Sequence, residues 1–164
     1  MIKIRSRDEI ELIRESGRLV AGALDLAAQL VGPGVETRTL DKDIEDYISG
    51  HGATPEFKGF HGYPAAICAS VNEEVVHGIP GSRALRNGDI IGIDVGVRKN
   101  GYVADGARTF AVGGITEATE LLVSVTRKAL NAGISVVREG VHLTDVSHAI
   151  QQVAEGAGFS VVRE

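Results

Sequence analysis

Ile90-Ile91-Gly92-Ile93-Asp94-Val95-Gly96-Val97-Arg98-Lys99-Asn100-Gly101-Tyr102-Val103-Ala104-Asp105 is the stretch on which the fold turns. Two β-branched runs flank Asn100-Gly101, and Asn-Gly is the strongest short-range signal for a two-residue type I′ hairpin loop, which needs positive φ at both central residues. Such a loop pairs Lys99 with Tyr102. Counting back along both strands sets Asp94 opposite Ala107 and Asp105 opposite Gly96. Side chains alternate across a strand, so the two carboxylates share one face as diagonal neighbours, with Cα atoms roughly 7 to 8 Å apart. That face otherwise carries Gly92, Gly96, Ala107 and Thr109, whereas the reverse carries Ile91, Ile93, Val95, Val97 and Phe110. A one-residue slip would throw the aspartates to opposite sides.

Two carboxylates side by side among small residues repel each other, and the arrangement persists only if a proton or a cation neutralises them. A divalent metal is the favoured answer, because paired carboxylates suit two ions about 3.5 to 4 Å apart, a geometry that activates water. The bland alternative is that one aspartate simply points into solvent. Upstream, two matching tetrapeptides, His61-Gly62-Tyr63-Pro64 and His77-Gly78-Ile79-Pro80, carry histidines. For His61 an ordinary loop role is the default. His77 ends the segment Val71 to Val76 that leads into the hairpin, so it can reach the same pocket as a substrate-binding or proton-donating group. Cys68 reads as a small pocket-wall or core residue, with no neighbour that would activate it.

Outside this region the pattern becomes helical. Ser6-Arg7-Asp8-Glu9 is a capping box ahead of apolar residues at helical spacing, predicting a helix over about 7–31 that Gly32-Pro33-Gly34 stops. A second helix begins near Thr37 or Thr39 and runs to Gly50. Strands are expected over 66–71, 90–97 and 102–112. Thr116 caps a third helix and Thr144 a fourth, after which a strand should begin. The expected order is ααβββαα, an α+β class. A shift of 106 residues places Ala23, Leu24, Gly34, Val35, Ile44, Gly50 and Gly52 on Ala129, Leu130, Gly140, Val141, Ile150, Gly156 and Gly158 without a gap. The two helix pairs therefore read as copies. On that reading 1–164 is a single domain, with a first half over about 1–112 and the start of a second over about 116–164.

Composition narrows the functions. The 164 residues are 43% hydrophobic and 24% charged, which suits a globular domain and excludes disorder. With 17 basic and 22 acidic side chains the net charge is -5, so no basic field advertises nucleic acid or an anionic membrane. The longest apolar run, residues 19–31, is interrupted by Asp25 and Gln29, and no membrane span or signal peptide is expected. The single cysteine cannot form an internal disulfide, which points to a reducing compartment, the cytoplasm.

The combination of Phe60-His61-Gly62-Tyr63-Pro64, Ser70-Val71-Asn72-Glu73 through His77-Gly78-Ile79-Pro80, Gly88-Asp89-Ile90 through Asp94-Val95, and Asp105 through Arg108-Thr109-Phe110 resembles bacterial type I methionine aminopeptidases over essentially the whole chain. The resemblance implies the creatinase/aminopeptidase (pita-bread) fold, two αβ halves related by a pseudo-two-fold axis. It implies a metal-dependent aminopeptidase, a hydrolase that removes the initiator methionine from nascent chains with one or two divalent ions such as Co, Mn, Fe or Zn. By that resemblance Asp94 and Asp105 are metal ligands, with Asp105 bridging, and His77 is a catalytic group contacting substrate near the scissile amide. Phe60, Tyr63 and Cys68 match walls of the methionine pocket, and Phe57 stands where a smaller residue is common.

The family draws further ligands, one His and two Glu, from its second half, and His142, His148, Glu155 and Glu164 do not sit in the corresponding motifs. The expectation is a truncated chain with weak metal binding and little or no peptidase activity. Its partners would be N-terminal methionyl peptides and, by the same resemblance, the ribosome. An uncovered edge could be remedied by a homodimer across the former pseudo-two-fold face. The competing readings are a non-catalytic pita-bread peptide- or ribosome-binding module, and a proline-peptide hydrolase of the same fold, which usually carries an extra N-terminal domain.

Overall fold

A computed structural model describes residues 3–162 and divides at Ile115/Thr116 into two compact units. The first unit holds helices α1 (Arg7–Leu30) and α2 (Thr37–Gly50) and strands β1 (Thr54–Pro55), β2 (Ile67–Val71), β3 (Ile90–Lys99) and β4 (Tyr102–Ala111). The second holds α3 (Glu117–Val136) and α4 (Leu143–Gly156).

The starts of α1, α3 and α4 follow from local chemistry. Ser6 Oγ accepts the Glu9 amide at 3.2 Å while Glu9 Oε2 accepts the Ser6 amide at 2.8 Å, the reciprocal capping box expected from sequence. Thr116 caps α3 through the Thr119 amide at 3.2 Å. The fourth helix corrects the expectation at Thr144: it starts two positions earlier with His142 at the N-cap, whose amide donates to Asp145 Oδ2 at 2.9 Å. The acidic residue three positions into the helix, rather than a hydroxyl before it, satisfies the orphan donor. A second correction is β1, two residues that pair Thr54 with Arg98 and Pro55 with Val97 and are too short to show a period. A third concerns residues 159–162, where a strand was expected. They form none among the described residues, since an extended run makes a strand only against a partner.

The hairpin register is the one that the Asn-Gly loop dictates. Asn100 and Gly101 take φ of 51° and 81°, Lys99 pairs with Tyr102, and the ladder runs back through Gly96 with Asp105 and Asp94 with Ala107 to Ile90 with Ala111. Because β4 covers one edge of β3 throughout, β1 and β2 share the other, with Cys68 opposite Asp94 and Ser70 opposite Gly92. On the reverse face Ile91, Ile93, Val95 and Val97 are fully buried beneath Leu19, Val20, Ala23, Leu24 and Ala27 of α1 and Leu40, Ile44 and Ile48 of α2. Each such side chain contributes about 1.5 to 3 kcal/mol of burial, so this face fixes the register and the opposite face inherits its alignment. Gly106 lets α1 close on the sheet, since a Cβ there would stand 3.0 Å from Val20 Cγ1.

Displaced by 106 residues, α2 coincides end to end with α4, and α1 and α3 end together. The turns repeat as well. Gly34 and Gly140 take φ of 87° and 84°, and Gly52 and Gly158 take 65° and 83°. Within the second unit Gly133 of α3 lies against Ile150 and Val146 of α4.

Candidate active site

The face of the sheet opposite the core forms the floor of a cavity of about 590 Å³ lined by Phe57, Phe60, His61, Tyr63, Cys68, His77, Ile79, Asp94 and Asp105. Every residue that the sequence singled out for the site, His77, Asp94, Asp105, Phe60, Tyr63 and Cys68, lies on this one cavity. Four separate segments meet there: the 57–64 loop with its 3-10 turn Phe60–Gly62, strand β2, the 72–89 loop and the β3–β4 hairpin.

Asp94 is half-buried on β3, a central strand, whereas Asp105 lies exposed on β4. Asp94 Oδ1 is fully buried without a hydrogen-bond partner. Burial pushes the Asp94 carboxyl above its ordinary value, and the neighbouring Asp105 carboxylate pushes it further in the same direction. A buried acceptor left without a donor costs about 1 to 3 kcal/mol, so this oxygen is the strongest chemical signal in the cavity. Hard, oxygen-preferring divalent cations fit it: two carboxylates on one face supply anionic oxygens and leave one of them unspent. Among the described residues no cluster of three or more His, Cys, Asp or Glu side chains with metal-binding geometry is present.

His77 is held by its neighbours. It takes φ of 59°, and Gly78 beyond it is pinned by three bonds: the Gly78 amide donates to Ser70 Oγ at 3.1 Å, and the Gly78 carbonyl accepts the Ala69 amide at 2.8 Å and the Tyr63 hydroxyl at 3.0 Å. A side chain at Gly78 would overlap the Ala69 carbonyl, so only glycine allows the loop this close to β2. His61 repeats the motif with φ of 47°. Its default reading as an ordinary loop histidine missed that its tetrapeptide folds onto the same cavity, edge-on to the Phe60 ring at 4.4 Å between centroids. The matching His-Gly-x-Pro pattern was the available signal.

Phe57, one of the apolar walls of the cavity, packs on Gly96 so closely that a Cβ there would stand 2.6 Å from Phe57 Cε1. Cys68 is buried, and burial pushes its thiol above its ordinary value, with the charges of Asp94 and Asp105 adding to the rise. It is a neutral wall group rather than a nucleophile. Tyr63 is pushed up too, chiefly by burial and next by Cys68, so it stays a hydroxyl donor.

The sequence profile of metallopeptidase family M24 matches residues 11–164. The chain belongs to metallopeptidase family M24. Within M24, the chain is 46% identical to the methionine aminopeptidase of Clostridium perfringens and 45% identical to methionine aminopeptidase 1 of Bacillus subtilis, each match covering 100% of this chain and 66% of the relative. Thus it spans just under two thirds of the length of these M24 relatives. Among solved structures it superimposes on the methionine aminopeptidase of Rickettsia prowazekii with a TM-score of 0.98 at 40% identity, over 100% of this chain and 66% of that one. The prolidase of Pyrococcus furiosus shares the fold at 20% identity, with a TM-score of 0.85 over 94% of this chain and 44% of that one. The M24 chain accordingly has the pita-bread fold, one complete αβ half followed by the helix pair that repeats it. No helix among the described residues is long and apolar enough to cross a membrane.

Proposed function

We propose that these 164 residues carry the methionine pocket and two of the metal-binding carboxylates of a cytoplasmic methionine aminopeptidase. The observation that carries this reading is the partnerless, buried Asp94 Oδ1 at the floor of a cavity whose other walls are Phe57, Phe60, Tyr63 and Cys68. A cavity that sets apolar walls beside paired carboxylates suits a substrate with a thioether side chain beside a free amino terminus. Asp94 and Asp105 would hold the divalent ions, and one or two such ions, when bound, supply Lewis acidity to the scissile carbonyl and to water.

The chain's own groups have distinct tasks. Phe60, Tyr63 and Cys68 exclude water from the methionine side chain, and the neutral thiol offers a polarisable contact to sulfur. His77, fixed by the Gly78 clamp, presents its imidazole at the same cavity, where it donates a hydrogen bond to the scissile amide of the bound peptide. The second unit, residues 116–164, repeats the helices of the first and belongs to the other half of the same catalytic domain.

Two carboxylates are a partial donor set, since divalent ions of this kind take about four to six donors. The 164-residue polypeptide by itself is therefore expected to bind manganese or cobalt weakly and to release methionine from a methionyl peptide slowly or not at all. Calorimetric titration of manganese into the chain and into its Asp94→Asn variant tests the site. Weak binding that the variant abolishes supports the proposal, and equal binding by both overturns it. Complete indifference of the chain to the metal would favour a peptide-binding module instead.

A further inference from the structure

One side of α2, flanking the sheet-facing stripe of Leu40, Ile44 and Ile48, holds the loop that builds the cavity wall. Asp41 Oδ1 accepts the backbone amides of both Ala66, at 2.8 Å, and Ile67, at 3.0 Å, where the chain enters β2. One helical turn on, Glu45 accepts Lys58 Nζ through Oε1 at 2.6 Å and Oε2 at 2.8 Å. Lys58 adjoins Phe57 and Ala66 adjoins Ile67 and Cys68, so residues 41 and 45, at helical spacing i and i+4, grip the two ends of the segment that carries Phe57, Phe60 and Tyr63. The interior of that segment is held by its own tight turns, Phe60 amide to Phe57 carbonyl at 2.9 Å and Gly59 amide to Tyr63 carbonyl at 2.8 Å, and by the Tyr63 hydroxyl, which donates to the carbonyls of Ile67 at 3.1 Å and Gly78 at 3.0 Å.

We propose that Asp41 is a positioning residue for the cavity: by accepting two amides on a single oxygen it fixes the start of β2 and thereby the placement of Tyr63 and Cys68 in the pocket wall. The two grips differ in kind. The Lys58–Glu45 pair is surface-exposed and of the sort that contributes little, whereas Asp41 is half-buried and its partners are backbone. Burial holds its carboxyl above the ordinary value in spite of those two bonds, so the site carries a desolvation cost that a surface serine or threonine would avoid. Its geometric return is an acceptor rigidly mounted on a helix, aimed at two consecutive amides that no strand partner satisfies. The link to a methionine pocket rests on the functional reading above, but the link to the wall does not.

Cys68, the sole cysteine, makes the wall measurable. In the full 164-residue chain without added metal, alkylation of Cys68 by iodoacetamide is followed at a temperature well below unfolding. Asp41→Asn keeps the Oδ1 acceptor and should react within about twofold of the parent, whereas Asp41→Ala loses it and should react about tenfold faster. Equal rates for Asp41→Ala and the parent, or an Asp41→Asn rate as high as that of Asp41→Ala, overturn the proposal. Should Asp41→Ala fail to fold, hydrogen exchange in the parent decides: amides of Ala66 and Ile67 that exchange as fast as open loop amides overturn it, and protected amides support it. Where the slow release of methionine from a methionyl peptide is measurable, the alanine variant should raise KM with kcat nearly unchanged. Absence of turnover by the parent is what two carboxylates alone lead one to expect, so the alkylation and exchange results judge Asp41.

Discussion

Replacing Asp94 with asparagine should stabilise the metal-free chain while destroying its response to divalent ions. The oxygen Asp94 Oδ1 is buried and partnerless, and both burial and the adjacent Asp105 carboxylate disfavour the charge. Because the folded-state value is raised above 3.8, the folded chain holds this proton more tightly than the unfolded chain does. The corresponding stability is fully present below the unfolded value and is lost as pH rises through the folded one, so at pH 7 Asp94 weighs against folding. An asparagine removes the charge and brings an N–H that can donate to Asp105. The side chain is only half-buried, which places the gain at the lower end of the range for an unsatisfied group, about 1 to 2 kcal/mol, or roughly 2 to 8 °C in melting temperature for a chain of this size. Added manganese should reverse the order. At a concentration about 100 times its Kd the ion stabilises the parent by about 2.7 kcal/mol, and the variant, lacking one anionic ligand, far less. Scanning calorimetry at pH 7 with chelator and then with manganese, repeated near pH 3.5 where the metal-free difference should vanish, measures all of this. A variant less stable than the parent in chelator at pH 7, or one that gains as much from manganese, would refute the reasoning.

Other substitutions probe how the cavity is built. Gly78→Ala drives a methyl into the Ala69 carbonyl and should cost about 2 to 3 kcal/mol in urea unfolding, with the His77 ring resonances displaced in NMR spectra. Gly96→Ala puts a Cβ 2.6 Å from Phe57 Cε1 and 3.0 Å from its Cδ1, so Phe57 must swing away, and the variant should bind methioninamide about tenfold more weakly while losing at most about 3 kcal/mol of stability. Glu9 is held down to about 2 by the Ser6 amide first and by Arg5 next. Its contribution is present above the ordinary value of 4.5 and is lost as pH falls from there towards 2, so Glu9→Gln should flatten that part of an acid-unfolding curve and leave the rest in place.

The hairpin and the repeat were legible because they depend on short-range rules. Asn100-Gly101 admits one tight loop, the alternating Ile91, Ile93, Val95 and Val97 admit one buried face, and together they put Asp94 and Asp105 on the same side before any tertiary contact is considered. The three matched glycine pairs of the helix pairs were equally visible, two of them, Gly34 with Gly140 and Gly52 with Gly158, marking turns that need positive φ. The fourth helix misled because an aspartate inside its first turn, rather than the threonine near its start, did the capping.

What tertiary structure alone decided is which distant segments share the cavity. Sequence determined the residue types, the register of the carboxylates and the doubled helix pair, all of which act over a few residues or along one strand. The placement of His61 and His77 on one cavity, of Phe57 over Gly96 and of Asp41 against the amides of Ala66 and Ile67 arises where independent chain segments meet. Such contacts leave no period in the sequence, because each is set by the packing of a loop against an element fixed elsewhere, and the core beneath the sheet is what fixes those elements.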